Sequence, residues 1–383
     1  MQLTESQHVR PSFAREPVTT FVLTVGLWVC MCGCTELPGL GAAALGYSDG
    51  NNALLIPIDI SGGVTFIDQI FPFGDYDGYD LGAFKAGDRV RISFAGGFLL
   101  RASAALVDGD HATLLDGLDG NSPDLTDFEH VLASDVQSLR LYVGPGHQRR
   151  IPVEILPVPT DGFYAVTVEK TGSDIPVPSP RPQAVILDFN GGIDEQFFGR
   201  PVVMAPFDAA QYNPRLGGRE SEIAAAAVMR AREIFAAYAI DVRIDNGLPL
   251  NGPVSRVYVT APDYFTVLEE SFAAGQVRYI DFGNRDRSDV AIVSTAPTAT
   301  TDPVRFGERL GRLAAHEIGH LLGLVHQTDG LMGPSGGSDE LLDSPVHGFF
   351  GFTNDAIEAF FPDAPSLFQT PDAFLRRTIG PSA

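Results

Sequence analysis

The sequence predicts an antiparallel β-sandwich (residues 52–172) followed by an α+β domain (residues 184–383), and three observations predict it. Between residues 52 and 172, short apolar runs are broken by Gly, Asp and Pro about every ten residues, the rhythm of a sandwich. A proline-rich stretch, residues 173–183, then interrupts the chain as an extended linker. Beyond it, strand-like and helical runs alternate, and the last long helical run carries His-Glu-x-x-His.

Residues 1–34 read as a leader. Phe21–Val29 is an apolar run of signal-peptide length, short for a membrane span, with Arg10 and Arg15 ahead of it. Cys30, Cys32 and Cys34 are the only cysteines, so the chain after Cys34 contains no disulfide. Met31-Cys32-Gly33-Cys34 resembles a bacterial lipobox, which makes Cys34 the lipidated first residue of the mature chain. An ordinary cleaved signal peptide and an uncleaved anchor are the alternatives; each implies export to the envelope or beyond. Gly- and Ala-rich residues 35–51 read as a tether. A net charge of −22, with Lys85 and Lys170 as the only lysines, argues against nucleic acid and leaves no polybasic patch for acidic lipids. Contact with a membrane is expected only through the lipid anchor.

In the sandwich region, Ala53–Ile60, Arg89–Phe94, Ala102–Val107, Ser138–Val143 and Phe163–Val168 are the expected strands. Alternation is clearest in Arg89-Val90-Arg91-Ile92-Ser93-Phe94. The string Tyr79–Asp88, with Asp108-Gly109-Asp110, resembles the pre-peptidase C-terminal type of domain attached to secreted bacterial proteases. Asp75-Tyr76-Asp77 and Asp116-Gly117-Leu118-Asp119 read either as solvated turns or as oxygen ligands for Ca²⁺. His111, His130 and His147 lack ligand spacing and are expected on the surface or in loops.

After the linker, Ala184–Phe189 is a continuous apolar strand, and Glu220–Tyr238 a helix. Asp241–Ile244, Val254–Thr260 and Asp289–Ser294 are further strands. Asp302-Pro303 supplies an N-cap and a first helical residue for a helix through Gly323, with Phe306, Leu310, Leu313 and Ala314 at helical spacing. Thr353-Asn354-Asp355 caps a last helix through Phe361. His347, between them, reads as a surface or core residue or as a wall of a cleft.

The helix beginning at Asp302 ends in His316-Glu317-Ile318-Gly319-His320-Leu321-Leu322-Gly323-Leu324-Val325-His326. Residues four apart on a helix share a face, so His316 and His320 can bind one ion. His326 joins them only if the helix stops between, and Gly323 supplies the left-handed residue that stops it. Three imidazoles leave one zinc position open for water, the arrangement of a catalytic site. Glu317 sits beside a ligand without being needed as one, placed to act as general base.

With Met332 in Gly330-Leu331-Met332-Gly333-Pro334, this eleven-residue motif resembles the metzincin clan of zinc endopeptidases. The resemblance implies a metzincin-like α+β fold and one catalytic Zn²⁺ on His316, His320 and His326. It further implies Glu317 as base, Met332 in a turn beneath the metal, and a protein or peptide as substrate. It implies pairing of that substrate with an edge strand, for which Asp289–Ser294 is the candidate because it precedes the motif helix. The other readings are a non-catalytic envelope adhesin that keeps the fold and a zinc hydrolase of a non-peptide envelope component. Intact Glu317 argues against the first.

Overall fold

The computed structural model describes residues 55–70, 77–95, 102–120, 122, 126–145, 162–194, 201–245, 252–261, 274–294, 299–333, 339–342, 344–345 and 367–382. The leader with Cys34, the tether, His147, His347, Asp75, Tyr76, Pro334 and the helix expected at Thr353–Phe361 lie outside these residues. Residues 42–383 belong to one compact unit, and the described part of it is built on four β-sheets with a few helices.

Two sheets face each other in the first half. One has the order β2 (Val64–Ile70), β9 (Gly162–Gly172), β4 (Arg89–Ala95), β7 (Asp127–Val131), all antiparallel. The other joins β1 (Ile56–Pro57), β3 (Asp77–Asp80), β8 (Leu139–Pro145), β5 (Ala102–Asp108) and β6 (Thr113–Leu118). Alternation puts Val90, Ile92, Val166 and Val168 of the first sheet against Tyr79, Leu106, Leu141 and Val143 of the second. Each such fully buried aliphatic side chain contributes about 1.5–3 kcal/mol.

β5 is buried on both faces. Ala104 and Leu106 point into the sandwich, while Ala105 and Val107 join Leu114, Tyr142, Phe282, Val325 and Leu367 in a second apolar cluster. Phe282, Val325 and Leu367 come from the second half of the chain, so the seven-stranded sheet is also that half's floor. Its last two strands seal this: β18 (Phe368–Gln369) pairs parallel with β6 at Thr113, and β17 (Ser344–Pro345) pairs with β18.

Within the sandwich, four strands, β2, β3, β6 and β7, appear where no strand is expected. Each carries an Asp, the residue that reads as a turn. Inside the sheets these carboxylates are satisfied: Tyr79 donates to Asp68 at 2.8 Å and Tyr164 to Asp77 at 2.7 Å. Asp116 and Asp119 are likewise buried rather than solvated turn residues. His111 is on an exposed turn, but His130, expected at the surface, is buried in β7 against Asp116 at 2.9 Å.

Ser173–Pro182 is mostly exposed coil, held by Ile175 N–H to Gly87 O and Arg181 N–H to Thr378 O. It leads to a sheet ordered β13 (Ile240–Ile244), β10 (Gln183–Asp188), β14 (Ser255–Val259), β16 (Val290–Val293), β15 (Gly275–Val277). The first four strands are parallel and β15 is antiparallel. Residues 290–293 are therefore interior, and the edge strand is β15, not Asp289–Ser294. A short hairpin, β11 (Gly192–Asp194) with β12 (Val202–Met204), stands apart from this sheet.

Among the described residues, the α-helices of this half are α1 (Ala209–Tyr212), α2 (Glu220–Ile234), α3 (Pro303–Leu321) and α4 (Pro371–Thr378). α2 and α3 meet through glycine: a Cβ on Gly307 would lie 2.5 Å from Ile223 O, and one on Gly311 2.4 Å from Ala227 O. α2 stops at Ile234 rather than Tyr238, because residues beyond it turn to bond the chain end, Ala239 N–H to Gly380 O and Ser382 N–H to Ala237 O. No helix among the described residues is long and apolar enough to cross a membrane.

Candidate metal centre

α3 is fixed at both ends by local chemistry. The Asp302 carboxylate accepts from Val304 and Arg305 N–H, and Pro303 occupies the first turn. At the other end Gly323 has φ +90°, and Leu324 N–H bonds Gly319 O at 2.8 Å. A Cβ there would meet Asp281 O at 2.9 Å, so glycine is required twice over. The reversal returns the chain so that His326 comes back to the helix face that carries His316 and His320.

The three Nε2 atoms are 3.2 Å (His316–His326), 3.2 Å (His316–His320) and 3.1 Å (His320–His326) apart. His316 Nδ1 meets Leu331 O and His320 Nδ1 meets Leu324 O, both at 2.7 Å. A carbonyl only accepts, so each Nδ1 carries the proton and the Nε2 lone pairs converge. Lone pairs at this range repel unless a cation lies between them. Nitrogens bound to a tetrahedral ion at about 2.05 Å would be about 3.3 Å apart, and the trio fits that requirement. Burial also lowers the His316 pKa, against the pull of the Leu331 carbonyl, which keeps the ring neutral. Among the described residues this is the one group of three or more His, Cys, Asp or Glu side chains able to hold a metal ion.

Glu317 lies outside the trio. It is 5% exposed, and burial pushes its carboxyl up to about 8. Its head packs on the edge strand: a Cβ on Gly275 would fall 2.3 Å from Glu317 Oε1. Met332 is buried beneath the helix, its sulfur 2.5 Å from where a Cβ on Gly319 would stand. The turn that holds it runs from Gly330, at φ +74°, to Gly333, whose N–H bonds Gly330 O. The same turn supplies the Leu331 carbonyl to His316.

Sequence reasoning missed two residues of this site. Gly275 gives no signal in a stretch without periodicity. Gln369, fully buried, is a lone amide far down the chain. Its Oε1 accepts from Val325 N–H at 3.0 Å and its Nε2 donates to Gly323 O at 2.9 Å. Gln327 returns a bond to Gln369 O at 3.1 Å, so β18 clamps the loop that delivers His326.

No protein-family model matches this sequence, and no curated protein is significantly similar to it. Among solved structures, a periplasmic inhibitor of g-type lysozyme from Aeromonas hydrophila aligns at 13% identity over 30% of this chain and 94% of its own, TM-score 0.23. The pre-peptidase C-terminal domain of a Bacillus anthracis collagenase aligns at 12% over 30% and 95%, TM-score 0.20. A family two carbohydrate esterase from Cellvibrio japonicus aligns at 8% over 68% and 98%, TM-score 0.16. At these TM-scores none of the three bears on what this chain does.

Proposed function

We propose that the chain is a zinc-dependent endopeptidase of metzincin type, exported and tethered to the bacterial envelope through Cys34. The observation that carries the reading is the convergence of three imidazole Nε2 atoms beside a buried carboxylate, all next to a sheet edge. Three neutral nitrogens with an open fourth position suit zinc among the common metals. Zinc supplies a Lewis acid and a water acidified toward neutrality.

The rest falls to the chain's own groups. The Leu331 and Leu324 carbonyls fix the tautomers and orientation of His316 and His320. Glu317 accepts the proton of the attacking water and returns it to the leaving amine. A nearby dication favours its ionised form, opposing the burial that raises its pKa. β15 offers a backbone edge along which an extended peptide pairs, and its first residue, Gly275, leaves the space that Glu317 fills.

Mass spectrometry of the purified protein should find about one zinc per chain, and His320→Ala should abolish it. Glu317→Ala should keep zinc yet cleave an unstructured protein substrate orders of magnitude more slowly. A wild type that holds no zinc, or cleavage retained in Glu317→Ala, overturns the reading. Labelled fatty acid should enter the wild type and not Cys34→Ala; equal labelling removes the anchor from the proposal.

A further inference from the structure

Between β15 and β16 runs Asp281-Phe282-Gly283-Asn284-Arg285-Asp286-Arg287-Ser288-Asp289. Asp281 is 0%, Asn284 1% and Asp289 5% exposed. Seven buried side-chain polar atoms among the described residues have no hydrogen-bond partner in the protein, and four belong to these three residues. They are Asp281 Oδ1, Asn284 Oδ1, and Asp289 Oδ1 and Oδ2, every one an acceptor oxygen. A buried carboxylate costs several kcal/mol unless it is paired or takes up a proton; Arg285 offsets part of the charge on Asp281, whereas the charges acting on Asp289 are the carboxylates of Asp281 and Asp286.

The neighbouring donors are committed elsewhere. Arg285 serves Asp116 and the carbonyls of Gly117 and Phe282. Arg287 serves Gln183 Oε1 and Pro182 O, and Asn284 Nδ2 also goes to Gln183. The Tyr279 hydroxyl donates to Asp286, and Asp286 N–H takes the other oxygen of Asp281. Ser255 is the exception: its hydroxyl oxygen accepts from Gln183 Nε2, which leaves its O–H to turn toward Asp289 and favour the charged form. Arg278 lies over the Tyr279 ring at 5.8 Å. Burial, with Asp281 nearby, pushes the Asp289 carboxyl well above the usual range.

We propose that this loop binds a hard divalent cation of the Ca²⁺ class through carboxylate oxygens of Asp281 and Asp289 and the amide oxygen of Asn284. Such ions take six to eight oxygens, commonly carboxylate, amide, backbone carbonyl and water together. An adjoining cavity of about 230 Å³, lined by Asp194, Asp286 and Asp289 with Arg278, Tyr279 and Ser288, provides room for water ligands. The site is separate from the histidine trio in chemistry, all oxygen against all nitrogen. The two are joined by structure, because Asp281 N–H bonds His320 O at 3.2 Å and Asp281 O packs on Gly323. A cation here would stiffen the end of α3 without touching the reacting atoms.

The experiment uses the full chain carrying His320→Ala, so that nothing read out comes from the trio. Thermal unfolding is followed in EGTA and in millimolar CaCl₂, with Tb³⁺ luminescence sensitised by Tyr279 as a second readout. Ca²⁺ should raise Tm by several degrees, Tb³⁺ should light up, and Ca²⁺ should quench it. Asp289→Asn should abolish both effects. Asn284→Gly, compatible with the φ of +49° at that position, should weaken binding on the order of tenfold and covers the case in which Asp289→Asn fails to fold. No shift and no luminescence overturns the proposal, as does a Ca²⁺ response unchanged by Asn284→Gly. A Tm that ignores Ca²⁺ but rises in Asp289→Asn identifies a shared proton as the compensating charge and overturns it equally.

Discussion

Two parts of this molecule bury histidine, and they do it in opposite ways. In the trio, His316 and His320 are each held at Nδ1 by a backbone carbonyl, which orients the ring without adding charge. In the sandwich, His130 is held at Nδ1 by the carboxylate of Asp116, itself joined to Arg285 and close to Arg377. Burial alone would raise the Asp116 carboxyl; Arg285, with His130 and Arg377, outweighs it and holds the group well below the usual carboxylate range. The first arrangement leaves neutral nitrogens aimed at a cation to come. The second is already balanced, and its balance spans both halves of the chain: Asp116 and His130 from the sandwich, Arg285 and Arg377 from the α+β half. One is a set of nitrogens able to hold a metal ion, the other an internal weld.

The largest effect should come from breaking the weld. Asp116→Ala leaves an arginine buried beside His130 without its anion and should cost about 3–5 kcal/mol. Urea denaturation should show both halves unfolding together at lower concentration, while the folded fraction binds Co²⁺ as the wild type does. Separate transitions would mean that the halves are independent. Gln369→Ala should cost less, about 1–3 kcal/mol, because only neutral bonds to Gly323 and Val325 are lost. It should also weaken metal binding by on the order of tenfold to a hundredfold in a chelator competition. Reduced stability with unchanged metal affinity would make Gln369 structural only.

The smallest expected effect is a slope. Burial lowers the His130 pKa from its ordinary 6.5, against the pull of Asp116. The unfolded chain then binds the extra proton, so the stability tied to neutral His130 is full above pH 6.5 and is lost as pH falls through the folded-state value. His130→Gln should flatten that part of the stability profile. An unchanged profile would show that His130 has the same pKa in the folded and the unfolded chain.

The same contrast explains what could be read from the sequence. The trio lies within eleven residues and obeys helix geometry, with Gly323 marking the reversal, so spacing alone locates it. Glu317 is legible for the same reason, whereas Met332 is placed only by the resemblance to metzincins. Asp116 is not, since the arginine that makes its burial tolerable is 169 positions away. Asp77 and Asp116 therefore read as turns when they are strand residues. Asp289–Ser294 reads as the edge because it precedes the motif helix, and the true edge, Gly275–Val277, is a short glycine-containing strand without the apolar pattern that would mark it. Gln369 acts through main-chain atoms of a loop far upstream, a relation that leaves no periodicity in its own neighbourhood.

β18 sets an order of events during synthesis. The helix with His316 and His320 can form as soon as it leaves the ribosome, but Gly323 and Val325 stay unclamped until Gln369 has been translated and has docked beside Thr113. A nascent chain thus carries His316 and His320 early and sets His326 only after residues 327–369 have followed. Synthesis of Gln369, rather than appearance of the motif, marks the moment at which the centre can be completed.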